Sequence, residues 1–177
     1  MIAQDAYEAL GLDAVWFIPT YLSPHKSTAH VSPEERVQMV EKMIQGDDRF
    51  ECCEEEVASG RPQFSVDTVR NLKALHPESR FFWLIGSDQL GNLHRWKDVG
   101  DLASLSKIIV CRRPGYSLVI PETLRTIEIE SVKIHELEIS SSEVRDRIEG
   151  GLPVYMFLHP SVNEHIQKNQ LYIKKQQ

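Results

Sequence analysis

Four short clusters in this chain carry residue types suited to holding a phosphate or a nucleotide. The first is Ile18-Pro19-Thr20-Tyr21-Leu22-Ser23-Pro24-His25-Lys26, where His25 and Lys26 would give a phosphate a hydrogen-bond donor and a positive charge. Read alone, a solvated loop is the plainer account. The second is Gly86-Ser87-Asp88, in which a glycine lets the backbone come close to a ligand and an aspartate can accept hydrogen bonds from ribose hydroxyls. The competing reading makes Ser87 or Asp88 the N-cap of the next helix. Trp96, a little downstream, could stack on a planar ring, or be simple core. The third is Ile139-Ser140-Ser141-Ser142-Glu143-Val144-Arg145, where Ser140 and Glu143 fit a capping box. The same helix start, with its backbone N–H groups, serine hydroxyls and Arg145 one turn on, is also a ready anion site. The fourth, Phe64-Ser65-Val66-Asp67-Thr68, opens a helix and could present backbone N–H groups to a carboxylate, although a plain N-cap explains it too.

The elements that must position these clusters alternate between short apolar runs and helix-period segments. Residues 2–10 read as a helix ending at Gly11, whose missing Cβ suits the position after a helix. Ala14-Val15-Trp16-Phe17-Ile18 is a strand of the kind buried on both faces, followed by a loop from Pro19 to Val31. Ser32, Pro33 and Glu35 then announce a helix through a capping box with proline in the first turn. Residues 50–57 read as a strand and Ser65 to Leu75 as a helix. Phe81 to Ile85 form a second buried strand ending at Gly86, with two short helices over residues 87–105. Ile108 to Cys111 form a third strand, Ile127 to Leu137 contain at least one more, and helices close the chain near 141–149 and 161–169. Strands separated by helices imply a parallel sheet with right-handed crossovers, a doubly wound α/β fold. Residues 1–177 are expected to be a single domain, with 139–177 its C-terminal helical portion.

Composition narrows the function classes. At 177 residues, 41% apolar and 26% charged, the chain is of ordinary globular make-up and can bury a real core. A net charge of −6 argues against a broad nucleic-acid-binding face. Cys52, Cys53 and Cys111 have no zinc-type spacing, and neighbouring cysteines on a strand point to opposite faces, so reduced thiols are expected. No signal peptide is visible and no apolar run could span a bilayer, so a cytoplasmic protein with no membrane partner is expected.

Taken in order, the clusters resemble one family. I-P-x-x-x-x-P-H-K, a Phe/Tyr-Ser/Thr-x-Asp-Thr helix start, I-G-x-D-x-L followed by tryptophan, R-R-P-G-Y and I-S-S-x-x-V/I-R are similar to bacterial nicotinate-nucleotide adenylyltransferases. The closing stretch from Gly150-Gly151 to Leu171-Tyr172 looks like that family's C-terminus, so the resemblance runs along essentially the whole chain. It implies a Rossmann-like sheet of the adenylyltransferase type. It also implies transfer of the adenylyl group of ATP to nicotinate mononucleotide, giving nicotinate adenine dinucleotide and pyrophosphate in NAD biosynthesis. Carried to matching positions, it puts His25 and Lys26 near the phosphates. Phe64 and Ser65 would take the nicotinate carboxylate, Trp96 the pyridine ring, and Gly86 and Asp88 the ribose. Ser140, Ser141 and Arg145 would bind the ATP phosphates. Phe64 and Ser65 stand where tyrosine and threonine are usual. ATP and nicotinate mononucleotide are the implied partners, and Mg2+, bridging ATP phosphate oxygens with few protein ligands, the implied cofactor.

The family begins with a strand and a G-G-x-F-D-P-x-H-x-G-H segment, whereas Met1-Ile2-Ala3-Gln4-Asp5-Ala6 is similar to the stretch directly after that segment. The first strand is therefore expected to be absent, on the order of 20 residues being missing. The polypeptide as written is expected to have little or no transfer activity, and its exposed sheet gap would favour self-association. Two alternatives stay open: a nucleotide-binding remnant without turnover, and an adenylyltransferase acting on phosphopantetheine. Trp96 and R-R-P-G-Y speak against the latter.

Overall fold

Local signals decide most of the helix ends. In the computed structural model, which describes residues 1–22, 31–112, 118–135 and 138–173, helix α1 (Ile2–Leu10) stops at Gly11. That glycine takes φ 59° and ψ 47°, a left-handed conformation that a Cβ disfavours. The chain forms two interleaved compact units, one from Met1–Val15 and Gln63–Leu137, the other from Trp16–Pro62 and Glu138–Gln177.

The first unit is built on parallel strands β3 (Phe81–Gly86), β4 (Ser106–Cys111) and β5 (Ile129–Val132), in the order β3-β4-β5. Gly86 lies opposite Cys111, and Cys111 opposite Val132, so the three carboxyl ends are level. Side chains alternate across β4 as the period of two demands. Ile108 and Val110 join Val66, Leu93 and Leu102 in one cluster, together with residues of helices α4 (Ser65–Leu75), α5 (Ser87–Leu90) and α6 (Val99–Leu105). Ile109 and Cys111 join Val132 and Ile134 in another, against which Ile2 and Leu10 of α1 pack. Ile108, Ile109 and Val110 have no exposed surface. Each such residue contributes about 1.5–3 kcal/mol by leaving water. A sheet covered by helices on both faces is the doubly wound arrangement that the apolar runs imply; the run at 14–18 pairs in a separate sheet, where of the strand residues 15–17 only Val15 is buried.

The second unit holds the two-stranded sheet of β1 (Val15–Phe17, whose first residue falls in the other unit) and β2 (Phe50–Cys52). It also holds helices α2 (Pro33–Ile44), α3 (Glu55–Ala58), α7 (Ser141–Glu149) and α8 (Pro160–Lys168). Ser32 caps α2 as its sequence foretells, its Oγ accepting the Glu35 N–H at 3.2 Å. Val144, Ile148, Val154, Val162 and Ile166 form the core, with Met39 of α2 against them. His165 of α8 is 5% exposed, and its Nε2 lies 2.5 Å from Oε2 of Glu35 on α2.

Residues 50–57 are not one strand. Pairing with β1 ends when the Cys53 N–H donates to Phe17 O, and Glu54 then leaves the extended region at φ −87°, ψ 9° to start α3. Glu55 and Glu56 occupy the first turn of that helix, where acidic charge is favoured. Residues 87–105 hold three helical pieces rather than two, a 3-10 turn at Leu93–Arg95 lying between α5 and α6. Cys52, Cys53 and Cys111 form no disulfide among the described residues. Among the described residues no helix is long and apolar enough to cross a membrane.

Candidate functional site

In the first unit the level carboxyl ends of β3, β4 and β5 form an edge of the kind where parallel sheets bind ligands. Gly86 ends β3 and is itself the N-cap of α5, at φ −74° and ψ 151°, so neither Ser87 nor Asp88 is the cap. The glycine's backbone is one that any residue adopts, so helix capping and backbone sign both leave its identity unexplained. Ser87 is buried at 3% exposure, whereas Asp88 is half-buried and accepts a 3.0 Å hydrogen bond from Gln89 Nε2. Trp96 follows the 3-10 turn, its N–H donating to Leu93 O at 3.0 Å, and its side chain packs partly buried against the core around Leu93. It is therefore both anchored and accessible, so the core and ring-stacking readings are compatible.

Phe64 is the N-cap of α4, which leaves Ser65 as the first helical residue; no side chain caps the helix. Phe64 O accepts from the amides of Asp67 and Thr68 at 2.9 and 3.1 Å. A helix start without a side-chain cap presents amide donors and the positive end of the peptide dipoles. The cluster continues beyond what the sequence signalled. Lys97 Nζ donates to Asp67 Oδ2 at 2.9 Å and lies 4.9 Å from the centroid of the Phe64 ring. Arg70 Nη1 donates to Asp67 Oδ1 at 3.0 Å, and its Nη2 to Asp101 Oδ2 at 3.2 Å. The i,i+3 spacing of Asp67 and Arg70 was available as a signal. Lys97 gave none, because it comes from 30 positions away.

In the second unit α7 begins as its capping pattern requires, the Ser140 Oγ accepting the Glu143 N–H at 3.1 Å. Ser140 and Ser141 are exposed, and Arg145 is half-buried with its Nη2 donating to Ser142 Oγ at 3.0 Å. Burial pushes the Tyr172 phenol up, and the Arg145 and Arg36 guanidiniums beside it pull the other way. Arg36 is a further residue that sequence reasoning passed over. Its Nη1 donates to Thr20 Oγ1 at 3.1 Å and its Nη2 to Tyr21 O at 2.7 Å, fastening α2 to the stem of the segment that carries His25 and Lys26. His25 and Lys26 lie outside the described residues, as do Arg113 to Tyr116 of the R-R-P-G-Y segment. Thus Phe64, Ser65 and the Trp96–Lys97 segment come together in the first unit, with Gly86 and Asp88 at its strand ends. Ser140, Ser141 and Arg145 share one helix start in the second.

Comparison with known proteins gives a consistent picture. A family described as cytidylyltransferase-like matches residues 1–147. A probable nicotinate-nucleotide adenylyltransferase of Shouchella clausii is 35% identical over 173 residues, covering 97% of this chain and 88% of that protein. One of Methylacidiphilum infernorum is 36% identical over 172 residues, covering 97% and 83%. Among solved structures, Plasmodium falciparum nicotinic acid mononucleotide adenylyltransferase complexed with NaAD superposes with a TM-score of 0.76. It is 21% identical and covers 95% of this chain and 87% of its own. The same enzyme complexed with APC gives 0.74 at 20% identity, covering 97% and 88%.

Proposed function

This chain belongs to the nicotinate-nucleotide adenylyltransferases of the cytidylyltransferase-like family, and from that premise we propose that it transfers the adenylyl group of ATP to nicotinate mononucleotide, in NAD biosynthesis. A phosphate oxygen of the mononucleotide attacks the α-phosphorus of ATP. The bond to the bridging oxygen breaks, and pyrophosphate leaves with the electron pair. Such a transfer asks the protein for in-line positioning and for neutralisation of developing charge rather than for a covalent partner.

The residues take roles that suit their surroundings. The uncapped start of α4, with Ser65 first in the helix, offers donors to the nicotinate carboxylate, and Phe64 precedes it. Trp96, anchored on the core yet accessible, stacks on the pyridine ring. Gly86 admits the nucleotide close to the backbone, and Asp88 accepts from ribose hydroxyls. Ser140, Ser141 and the α7 amides receive ATP phosphates, with Arg145 one turn on to balance their charge. His25 and Lys26 add donors to the phosphates. A magnesium ion bound with ATP would supply neutralisation of phosphate charge.

The observation that carries this reading is the continuity of the match, 35% identity across 97% of the chain, with all five motifs in order. Release of pyrophosphate on mixing the protein with ATP and nicotinate mononucleotide, with dinucleotide formed in equal amount, tests it against the remnant reading, in which calorimetric titration shows both nucleotides bound and no pyrophosphate is made. Turnover with phosphopantetheine and none with nicotinate mononucleotide would overturn it.

A further inference from the structure

We propose that Lys97 sets the ring-charge preference of this site, favouring a mononucleotide whose pyridine carries a carboxylate over one carrying a neutral carboxamide. The inference rests on the assignment of Phe64, Ser65 and Trp96 to the pyridine ring.

Asp67 stands in the first turn of α4. A carboxylate there suits the helix dipole but repels any anion approaching the same amides. The structure answers that repulsion with two cations. Arg70 reaches Asp67 from within the helix and is shared with Asp101. Lys97 arrives from the Trp96 segment, donates to Asp67 at 2.9 Å, and rests 4.9 Å from the Phe64 ring centroid. One ammonium therefore cancels the acidic charge of the helix start and sits on the ring of the residue just before Ser65. Through its chain neighbour Trp96, it also belongs to the segment that stacks on the substrate. Two carboxylates and two cations make the cluster neutral; without Lys97 it carries one net negative charge. That charge disfavours a nicotinate carboxylate and leaves a carboxamide nearly unaffected.

Calorimetric titration of the full chain with nicotinate mononucleotide and with nicotinamide mononucleotide gives the ratio of the two dissociation constants. Lys97→Met should lower the preference for the nicotinate form on the order of fivefold, the scale of one exposed charge pair. Lys97→Arg should keep it within about twofold. Asp67→Asn added to Lys97→Met should restore most of the ratio, because it removes the unbalanced charge. Thermal melting of each variant establishes that it is folded. If Lys97→Met weakens both nucleotides equally, the lysine is merely structural and the proposal fails while the ring assignment stands. Wild-type protein that binds neither mononucleotide would refute the ring assignment, and the proposal with it.

Discussion

Asp5 and His135 meet across 130 positions of sequence. The Asp5 carboxylate accepts the His135 backbone N–H at 2.7 Å and pairs with its ring Nδ1 at 2.8 Å, joining the first turn of α1 to the segment after β5. This contact, with Ile2 and Leu10 against the Val132 cluster, fixes α1 on one face of the three-stranded sheet.

The backbone bond from His135, and then its ring bond, hold the Asp5 carboxyl below its ordinary value of 3.8. A depressed carboxyl stabilises the fold above its unfolded value, and the contribution is lost as pH falls through the lower, folded value. Asp5→Ala should therefore melt at a lower temperature than wild type at neutral pH. The two melting curves should draw together below about pH 4, as seen by circular dichroism across acid and neutral buffers. A gap that persists unchanged into acid would mean that the carboxylate's charge plays no part.

Glu35 and His165 give a second stability test. With His165 buried, Glu35→Ala leaves an imidazole nitrogen without its carboxylate partner. The expected loss is about 1–3 kcal/mol in urea unfolding. Glu35→Gln, which keeps a polar partner at the same reach, should lose less.

Cys52 should be a poor nucleophile. Burial, reinforced by the Glu41 and Glu54 carboxylates, pushes its thiol up to about 11. At pH 8 its thiolate fraction then falls roughly 100-fold below that of an ordinary thiol. Alkylation by iodoacetamide at that pH, followed by peptide mass spectrometry, should show Cys52 modified correspondingly slowly in the folded protein.

Arg145 separates a phosphate-binding role from a purely helical one. Its guanidinium bonds locally, to Ser142, so Arg145→Met should leave the melting temperature nearly unchanged. It should weaken ATP binding about tenfold or more, the scale of a charge-assisted hydrogen bond. Unchanged ATP affinity by titration calorimetry would remove Arg145 from the phosphate site.

The amino-acid sequence by itself determined whatever depends on neighbours a few residues apart. Ser32 with Glu35, Ser140 with Glu143, and Gly11 after α1 each mark a helix end by a hydrogen bond or a backbone conformation made within the same turn. The apolar run at 108–111 declared a buried strand because both of its faces meet core clusters, and a strand of that kind has no polar side to show. The run at 81–85 carries the same signal, yet only Ile85 is buried there, because β3 lies at the edge of the three-stranded sheet. Only the tertiary structure decided what joins distant positions. The end of β2 at Cys52 depends on where β1 stops offering carbonyls, so residues 55–58 became a helix despite a run that reads as extended. The level carboxyl ends of β3, β4 and β5 depend on register, which periodicity leaves free. Lys97 on Asp67, Arg36 on Thr20 and Asp5 on His135 are separated by 30, 16 and 130 positions. A charged side chain carries no mark of its partner until packing brings the two within reach, because Coulombic and hydrogen-bonding forces act over ångströms of space and are blind to distance along the chain.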